Sequence, residues 1–328
     1  MKICFHFKRG VETVGELRKD YILDRWVILS TGRGKRPKEF VDQQSQKSAA
    51  ECFFCPGNET MTTVEIGRIE KSGQWQMRWF ENKFPALDTG CAPELKTHNR
   101  FYTFALNCGN HEIVVETNEH AKQLADLSTS EITTLFTVFA QRIRDLSSNK
   151  NVKYVSVFKN HGVHAGTSLV HSHSQIMAMP FVPALVMDEV LASRKFVHCP
   201  YCAIIESEKN SARRCFENDA WVAFAPYASR FNYEVWLFPK QHVKSLAELN
   251  SFDGLADILK KVLVKLKELN CSYNFCLHYA PRNHDLHLHI EVLPRIAVWG
   301  GFELGTHAII NSVFPEDAAQ FYRGETNG

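Results

Sequence analysis

The sequence predicts an α+β protein built from two homologous halves, each a mostly antiparallel sheet with a packed helix. The segment HEIVVETNEHAKQLADL at 111–127 aligns without a gap with YEVWLFPKQHVKSLAEL at 233–249. Each half also begins with a Cys-x-x-Cys pair and ends with a strand that carries a His-x-His pair. The strand–helix–strand–strand order of each copy differs from the regular alternation of a doubly wound parallel sheet.

The elements follow in the same order in both copies. Each aligned segment opens with alternating strand residues, and a helix follows. Ser128 with Glu131 forms a capping-box signature in the first half, and Ser251 is the matching cap in the second. The strands NVKYVSVF at 151–158 and NCSYNFCL at 270–277 then precede the histidine pairs. We place the connection between the halves near 181–197, which gives an N-terminal half at 1–185 and a C-terminal half at 186–328.

Composition excludes several classes of protein. The 328 residues are 45% hydrophobic and 23% charged with a formal net charge of +2, so a general basic surface for nucleic acid is absent. The sequence contains no apolar run of the roughly 20 residues that a membrane span needs. MKICFHF is too short and too interrupted for a signal peptide. We therefore expect a cytoplasmic protein with no nucleic-acid or membrane partner.

The repeated cysteines and histidines predict two Cys2His2 metal sites. Two thiolates with two imidazoles suit a tetrahedral zinc ion, and four protein ligands make such a site structural. The first would combine Cys52, Cys55, His120 and either His171 or His173, and the second Cys199, Cys202, His242 and either His287 or His289. The i and i+2 residues of a strand face the same side. One histidine of each pair is thus available for a metal and the other for chemistry.

Only the first histidine pair has phosphate-binding features beside it. The preceding loop, FKNHGVHAGTSLV at 158–170, supplies glycine amides and short polar side chains, and Gln175 continues the row of His171 and His173. A neutral histidine next to such donors is a candidate nucleophile toward phosphorus. The second half has HYAPRNHDL before its pair and Glu291 after it. We interpret the second copy as one that retains the fold and metal without the catalytic function.

The motifs HSHSQ, CFFC, ENKFPALD, DRWVILSTGRGKRP and GGFELGTHAIINSVFPEDAA resemble those of galactose-1-phosphate uridylyltransferases, the transferase branch of the histidine triad superfamily. The likeness covers nearly the whole chain and is strongest to the subset that includes plant ADP-glucose phosphorylases. It implies two histidine-triad-like halves, two bound metals of which the second is zinc or iron, and a homodimer whose subunits share active sites.

The resemblance also implies roles for individual residues. The catalytic residues would be His173 as the nucleotidylated nucleophile, with Gln175 and Ser168 on the phosphates. The substrate-binding residues would be Arg33, Arg36, Asn82 and Asn160 on the nucleotide and phosphate side and Phe302 and Glu303 on the sugar side. The metal ligands would be Cys52, Cys55, His120 and His171, and Cys199, Cys202, His242 and His287.

The implied reaction is double displacement on a nucleoside diphosphate sugar. His173 attacks the α-phosphorus, sugar-1-phosphate leaves, and a phosphate-bearing acceptor takes the nucleotide. We expect UDP-glucose with galactose-1-phosphate first. The alternative is ADP-glucose with inorganic phosphate, because RIAVWGG, before Glu303, lacks the lysine of the better-known uridylyltransferases. A non-catalytic, zinc-stabilised nucleotide-binding protein is the weaker alternative.

Overall fold

The computed structural model describes residues 15–31 and 52–325. Its strands are β1 (Glu16–Lys19), β2 (Trp26–Leu29), β3 (Glu65–Lys71), β4 (Gln74–Glu81), β5 (Lys96–Asn99), β6 (Tyr102–Phe104), β7 (Asn110–Val115), β8 (Tyr154–His161), β9 (His173–Met179), β10 (Arg214–Glu217), β11 (Trp221–Phe224), β12 (Val235–Pro239), β13 (Tyr273–His278), β14 (His289–Pro294) and β15 (Ile309–Asn311). Its helices are α1 (Thr129–Ser147), α2 (Ala184–Ser193), α3 (Pro200–Glu208), α4 (Asp253–Glu268), α5 (Gly301–Thr306) and α6 (Pro315–Arg323).

A ten-stranded sheet in the order β10-β11-β12-β14-β13-β8-β9-β7-β4-β3 forms the centre of the described structure. All its neighbouring strands are antiparallel. The order on one side of the β8–β13 junction mirrors the order on the other, as two copies of one five-stranded unit would. The predicted α+β class, with an antiparallel sheet and a packed helix in each half, is confirmed. The boundary at 185/186 stays a prediction.

Helices α1 and α4 cover one face of this sheet and contact each other. Ser128 caps α1 through the predicted capping box with Glu131. In the second half the cap position falls on Phe252, one residue later than predicted, although the Ser251 hydroxyl still accepts from the amide of Asp253 at 3.1 Å. The apolar stripes of both helices are buried in one core with the inward residues of the strands. Truncating a fully buried leucine there, such as Leu259, would cost about 2–5 kcal/mol.

The remaining elements lie around the edges of the main sheet. β1, β2 and β15 form a small sheet, with β15 parallel to β2, and β5 and β6 form a hairpin. Cys91 and Cys108 form a disulfide that encloses this hairpin. The sequence did not indicate this bridge, and disulfides are uncommon in cytoplasmic proteins, so the compartment stays a prediction. Across residues 15–31 and 52–325, no helix combines the length and apolar character of a membrane span.

Candidate functional site

The predicted nucleophile and the first predicted metal cluster lie on the face of the first half-sheet that points away from α1. Strand alternation sends Ile176 of β9 into the helix-covered core and His173 and Gln175 to the opposite face. On that opposite face Ile113 and Val115 of β7 pack with Phe80 and with the segment of Cys52 and Cys55. The first Cys-x-x-Cys pair and the first His-x-His pair therefore meet across one small apolar cluster.

The first predicted metal cluster is assembled. Ligand atoms of Cys52, Cys55, His120 and His171 all lie within 4.8 Å of one another. The Cys55 sulfur is 3.3 Å from Nδ1 of His120 and 3.5 Å from Nδ1 of His171. Nε2–H of His171 donates to the carbonyl of Thr117 at 2.7 Å, which turns the unprotonated Nδ1 toward the sulfurs. Two thiols with two suitably turned imidazoles fit a tetrahedral thiophilic cation.

The second cluster repeats this geometry. Ligand atoms of Cys199, Cys202, His242 and His287 lie within the same 4.8 Å limit. The Cys202 sulfur is 3.5 Å from Nδ1 of both histidines. Nε2–H of His287 donates to the carbonyl of Pro239 at 3.0 Å, and Nε2–H of His242 donates to Asp285 at 2.9 Å. In both halves the first histidine of the pair faces the cysteines, which resolves the choice left open by spacing alone.

The imidazole of His173 is held with one nitrogen engaged and the other available. Its Nδ1–H donates to the carbonyl of His171 at 2.8 Å, so Nε2 carries the lone pair. The edge of Phe54 lies against the ring, with centroids 5.3 Å apart. Burial, together with the nearby ammonium of Lys159, lowers the pKa of His173 to about 4. The imidazole is therefore neutral at neutral pH, as a nucleophile must be.

A buried ion pair that the sequence analysis missed lies behind His173. The Lys159 ammonium donates to Glu116 at 2.8 Å, to the Ser172 hydroxyl at 3.0 Å and to the His173 carbonyl at 3.0 Å. Ser172 and Ser174 also donate to Glu116. Burial raises the pKa of Glu116, but Lys159 and the two hydroxyl groups outweigh it and keep the carboxyl group ionised.

A comparison of the two halves distinguishes Glu116, Lys159, Ser172 and Ser174 in the sequence. The aligned positions in the second half hold Phe238, His278, Leu288 and Ile290. Three of these four residues are apolar, so the buried polar cluster around Lys159 belongs to the first half alone.

The loop before His173 has the shape expected of an anion-binding segment. Gly162 and Gly166 adopt φ values of 81° and 83°, and a 3₁₀ turn at 163–165 lies between them. Ser168 and His164 are exposed, and Asn160 lies at the end of β8, two residues beyond the Phe158–Gln175 pair. That register brings Asn160 opposite His173 on the same face. A cavity of about 410 Å³ adjoins the loop, lined by both halves, including Asn160, His173 and Lys267.

Gln175 and Asn82 are linked by His111, a residue that the sequence analysis did not select. Nε2–H of His111 donates to the Gln175 side-chain oxygen at 2.9 Å. Nδ1 of His111 accepts from the amide of Ala86 at 3.2 Å and, at 3.5 Å, from the side-chain NH2 of Asn82. The predicted nucleotide-side loop at 81–88 is therefore connected to the predicted phosphate-side amide.

The matching position in the second half is enclosed. His289 is 0% exposed, whereas His173 is 6% exposed. Tyr201 of α3 covers its ring with centroids 5.0 Å apart. Glu189 of α2 lies 4.0 Å from Nε2 of His289 and accepts from Nδ1 of His278 at 3.0 Å, a buried cluster that sequence reasoning missed. Helices α2 and α3 thus occupy the space that remains open above His173.

The other predicted residues lie apart from this site. Arg33 and Arg36 fall outside the described residues. Phe302 and Glu303 lie on α5, which contacts β15, and Glu303 accepts from the amide of Gly300 at 2.9 Å. Glu303 lines a separate cavity of about 760 Å³ with Arg25, Arg230 and Trp299. Within the described part of one chain, neither Phe302 nor Glu303 contacts His173.

Comparison with known proteins agrees with this architecture. The profile of the galactose-1-phosphate uridyl transferase N-terminal domain matches residues 11–183, and that of the C-terminal domain matches residues 155–309. The chain is 33% identical to ADP-glucose phosphorylase of Arabidopsis thaliana over 94% of its own length and 92% of that protein. It is 32% identical to galactose-1-phosphate uridylyltransferase of Thermotoga maritima over 94% and 98% of the two lengths.

Solved structures give the same result. A crystal structure of an ADP-glucose phosphorylase from Arabidopsis thaliana with bound ADP-glucose matches with a TM-score of 0.80 and 31% identity, covering 96% of this chain and 100% of that one. A structure of uridylyltransferase matches with a TM-score of 0.74 and 28% identity, covering 95% and 98%. The fold and its relatives define a hexose-1-phosphate nucleotidyltransferase. The chain belongs to the galactose-1-phosphate uridyl transferase family.

Proposed function

We propose that this chain transfers a nucleotide from a nucleoside diphosphate sugar by double displacement through His173. The observation that carries the proposal is the hydrogen bond from Nδ1–H of His173 to the His171 carbonyl at 2.8 Å, in an imidazole that lines the cavity of about 410 Å³. It leaves the Nε2 lone pair as the free nucleophilic atom of a neutral, buried imidazole.

The proposed reaction has two steps. Nε2 of His173 attacks the α-phosphorus, an N–P bond forms, and the bond from that phosphorus to the bridging oxygen breaks, so sugar-1-phosphate leaves with its electron pair. An oxygen of the acceptor phosphate then attacks the same phosphorus and releases the imidazole. Both leaving groups are stable without an added proton, so no general acid is needed.

The residues around His173 support positioning and charge stabilisation. Gln175 and Asn160 present amide groups on the same face, and the amides of the loop at 162–168 are directed by two glycines with positive φ. Such donors stabilise the charge that develops on the phosphoryl oxygens. Gln175 stands where a base could activate water, and a neutral amide does not, which favours transfer over hydrolysis. Ser168 and Asn82 are assigned to the leaving phosphate and the nucleotide.

The donor we propose first is UDP-glucose, with galactose-1-phosphate as acceptor. ADP-glucose with inorganic phosphate is the second candidate, favoured by the match to the Arabidopsis ADP-glucose phosphorylase. Overall identity does not separate them, because the two relatives differ by one percentage point, 33% against 32%. The family assignment favours both over the non-catalytic alternative.

We propose zinc for both Cys2His2 clusters. When bound, the ion supplies a structural cross-link, since four protein ligands leave no position for water or substrate. Cys52, Cys55, His120 and His171 would tie the Cys-x-x-Cys segment to the strand that carries His173. Cys199, Cys202, His242 and His287 would tie α3 to the start of β14, and iron remains the alternative there.

We also propose that two copies of the chain share their active sites. Phe302 and Glu303 are implied on the sugar side, yet α5 lies against the small sheet rather than beside His173. A second copy that brings α5 to the neighbour's His173 would complete the site. Arg33 and Arg36 remain assigned to the nucleotide by resemblance.

The test is to incubate the purified protein with UDP-glucose or ADP-glucose, each without acceptor, and to measure released glucose-1-phosphate. The proposal expects a burst of about one product per active site with the true donor, because the nucleotide stays on the enzyme. Full turnover should need galactose-1-phosphate with UDP-glucose, or inorganic phosphate with ADP-glucose. Absence of a burst with both donors would overturn the mechanism, and continuous release without acceptor would identify a hydrolase.

A further inference from the structure

We infer that His111 and Asn274 are positioning residues that fix the Gln175 and Asn160 side chains with their NH2 groups turned toward the transferred phosphoryl group. This inference rests on the proposed function and deepens it. Each assignment begins at a backbone group, whose hydrogen-bonding role is unambiguous, and ends at an amide whose two ends are otherwise hard to distinguish.

The orientation of Gln175 follows from the amide of Ala86. A backbone N–H can only donate, so Nδ1 of His111, 3.2 Å away, must be the unprotonated nitrogen. In a neutral imidazole the proton is then on Nε2, which lies 2.9 Å from the Gln175 side-chain oxygen and donates to it. With that oxygen engaged on the His111 side, the NH2 group of Gln175 points away from His111.

The orientation of Asn160 follows from the carbonyl of Ala165. A backbone carbonyl can only accept, so the Asn274 atom 2.9 Å away is its NH2 nitrogen. The same nitrogen lies 2.8 Å from the Asn160 side chain, and that Asn160 atom must therefore be the oxygen. The NH2 group of Asn160 is left on the side of Gly166, whose Cβ position is 4.0 Å from it.

The side-chain amides of Asn160 and Gln175 lie on the same face of the sheet. Asn160 and Gln175 flank His173 on β8 and β9. With both side-chain oxygens engaged elsewhere, each amide has its NH2 group left for a phosphoryl oxygen. An acceptor oxygen turned the other way would repel a phosphoryl oxygen, so a free flip of either amide would replace attraction by repulsion. Asn274 belongs to β13, so the second half of the chain helps to orient the site of the first.

The second half shows that this arrangement is not a general need of the fold. Gln175 aligns with Glu291, and His111 aligns with Tyr233. Glu291 accepts a hydrogen bond from Arg230, and as a carboxylate it has no NH2 group to donate. The His111–Gln175 contact thus belongs to the copy whose second histidine lines the cavity beside the loop.

The test compares two replacements of His111 in single-turnover formation of the nucleotidyl-enzyme. His111→Gln keeps one acceptor for Ala86 and one donor for Gln175, whereas His111→Phe keeps the ring volume and removes both. We expect His111→Phe to slow nucleotidylation about 10- to 100-fold, and His111→Gln to recover to within about threefold of wild type. A role in packing alone predicts the reverse order, and that result would overturn the inference.

A double-mutant cycle with Gln175→Ala gives the second readout. If His111 acts through Gln175, His111→Phe should change the rate by less than about twofold once Gln175→Ala is present. Equal losses in both backgrounds would contradict the inference. The same cycle applies to Asn274→Leu with Asn160→Ala, where the effect of Asn274→Leu should likewise vanish in the second background.

A measurement that needs no turnover separates this inference from the proposed reaction. The Gln175 side-chain NH2 signals, assigned in 15N-glutamine-labelled protein by their loss in Gln175→Ala, should be resolved from those of exposed glutamines. They should move to the exposed position in His111→Phe and stay in His111→Gln. If wild-type protein forms no covalent adduct with either donor, the reaction fails while this spectrum still decides the orientation. Unchanged signals in His111→Phe would overturn it.

Discussion

Lys159 places a buried positive charge directly behind the strand that carries His173. Its ammonium contacts Glu116, Ser172 and the His173 carbonyl, and both members of the ion pair are almost wholly buried. The charge helps to keep His173 neutral, since a nearby cation disfavours a second one. The hydrogen bonds also hold the backbone at the start of β9. The Lys159 side chain therefore affects both the protonation state and the position of the proposed nucleophile.

Replacing Lys159 by Met should be strongly destabilising, because Glu116 would remain buried without its cation. We expect the free energy of unfolding to fall by about 3–5 kcal/mol in urea denaturation. The double variant Lys159→Met/Glu116→Leu should recover much of that loss. As a matched control, Lys267→Met removes an exposed ion pair with Asp126 and should change stability by less than about 1 kcal/mol. A loss for Lys159→Met as small as that of the control would contradict the assigned role.

At the scale of elements, the loop between β8 and β9 depends on a close approach of backbone. Gly162 has a φ of 81°, and a Cβ built on it would lie 2.2 Å from the Ser272 hydroxyl and 3.1 Å from the Ser272 Cα. Both the backbone conformation and the contact with the second half therefore require glycine. The loop that we propose to bind phosphate thus packs against the second half of the chain.

Gly162→Ala should displace this loop and slow nucleotidylation of His173 by at least about tenfold. Gly73→Ala is the matched control, because Gly73 has a similar φ of 77° but nothing within 4 Å of its Cβ position. That control should cost about 1 kcal/mol of stability and leave the rate unchanged. Single-turnover assays and urea denaturation of both variants measure the two effects. Equal rates in the two variants would show that the approach to Ser272 is unimportant.

The two Cys-x-x-Cys segments should each bind a metal ion independently. Elemental analysis of the purified protein should give about two ions per chain, and about one in either Cys52→Ser or Cys199→Ser. Cys52→Ser should also impair nucleotidylation, because its cluster contains His171, two residues before His173. Cys199→Ser should retain it, because the second cluster lies in the other half. Purified wild-type protein without bound metal would remove both sites.

Much of this organisation was predictable because the chain contains an internal sequence repeat. The alignment of 111–127 with 233–249 predicted the strand and helix order, and the doubled spacing predicted both metal clusters except for the choice within each histidine pair. The partners His111, Lys159 and Asn274 were not predictable from spacing. Each acts through a contact between strands or halves far apart in sequence, and a single sequence does not reveal sheet order. The disulfide between Cys91 and Cys108 was missed for the same reason.

At the scale of the whole molecule, one continuous sheet joins the two halves through β8 and β13. The halves differ in what covers the face opposite α1 and α4. Helices α2 and α3 close that face above His289, while the corresponding face above His173 carries the loop at 162–168 and the contacts of Gln175. The second half thus extends the sheet that carries His173. Helix α5 lies on the surface, and its Phe302 side chain is exposed.

If active sites are shared between two copies, inactive variants should complement each other. His173→Gly and Phe302→Ala chains carrying different tags would be coexpressed, and the mixed dimer purified through both tags. One of its two sites would then hold both native residues, so we expect about half of the wild-type turnover. Each homodimer supplies the baseline. Activity no greater than the mean of the two homodimers would show that Phe302 acts within its own chain or not at all.

We propose above all that the first histidine pair carries a nucleophile and that the second does not. The most direct measurement is mass spectrometry of the protein and its peptides after incubation with UDP-glucose or ADP-glucose. We predict about one nucleotidyl group per chain, located on His173 and lost in acid as a phosphoramidate is. It should be absent in a folded, metal-containing His173→Gly variant and retained in His289→Ala. Labelling that survives in His173→Gly, or that disappears in a folded His289→Ala protein, would contradict the claim.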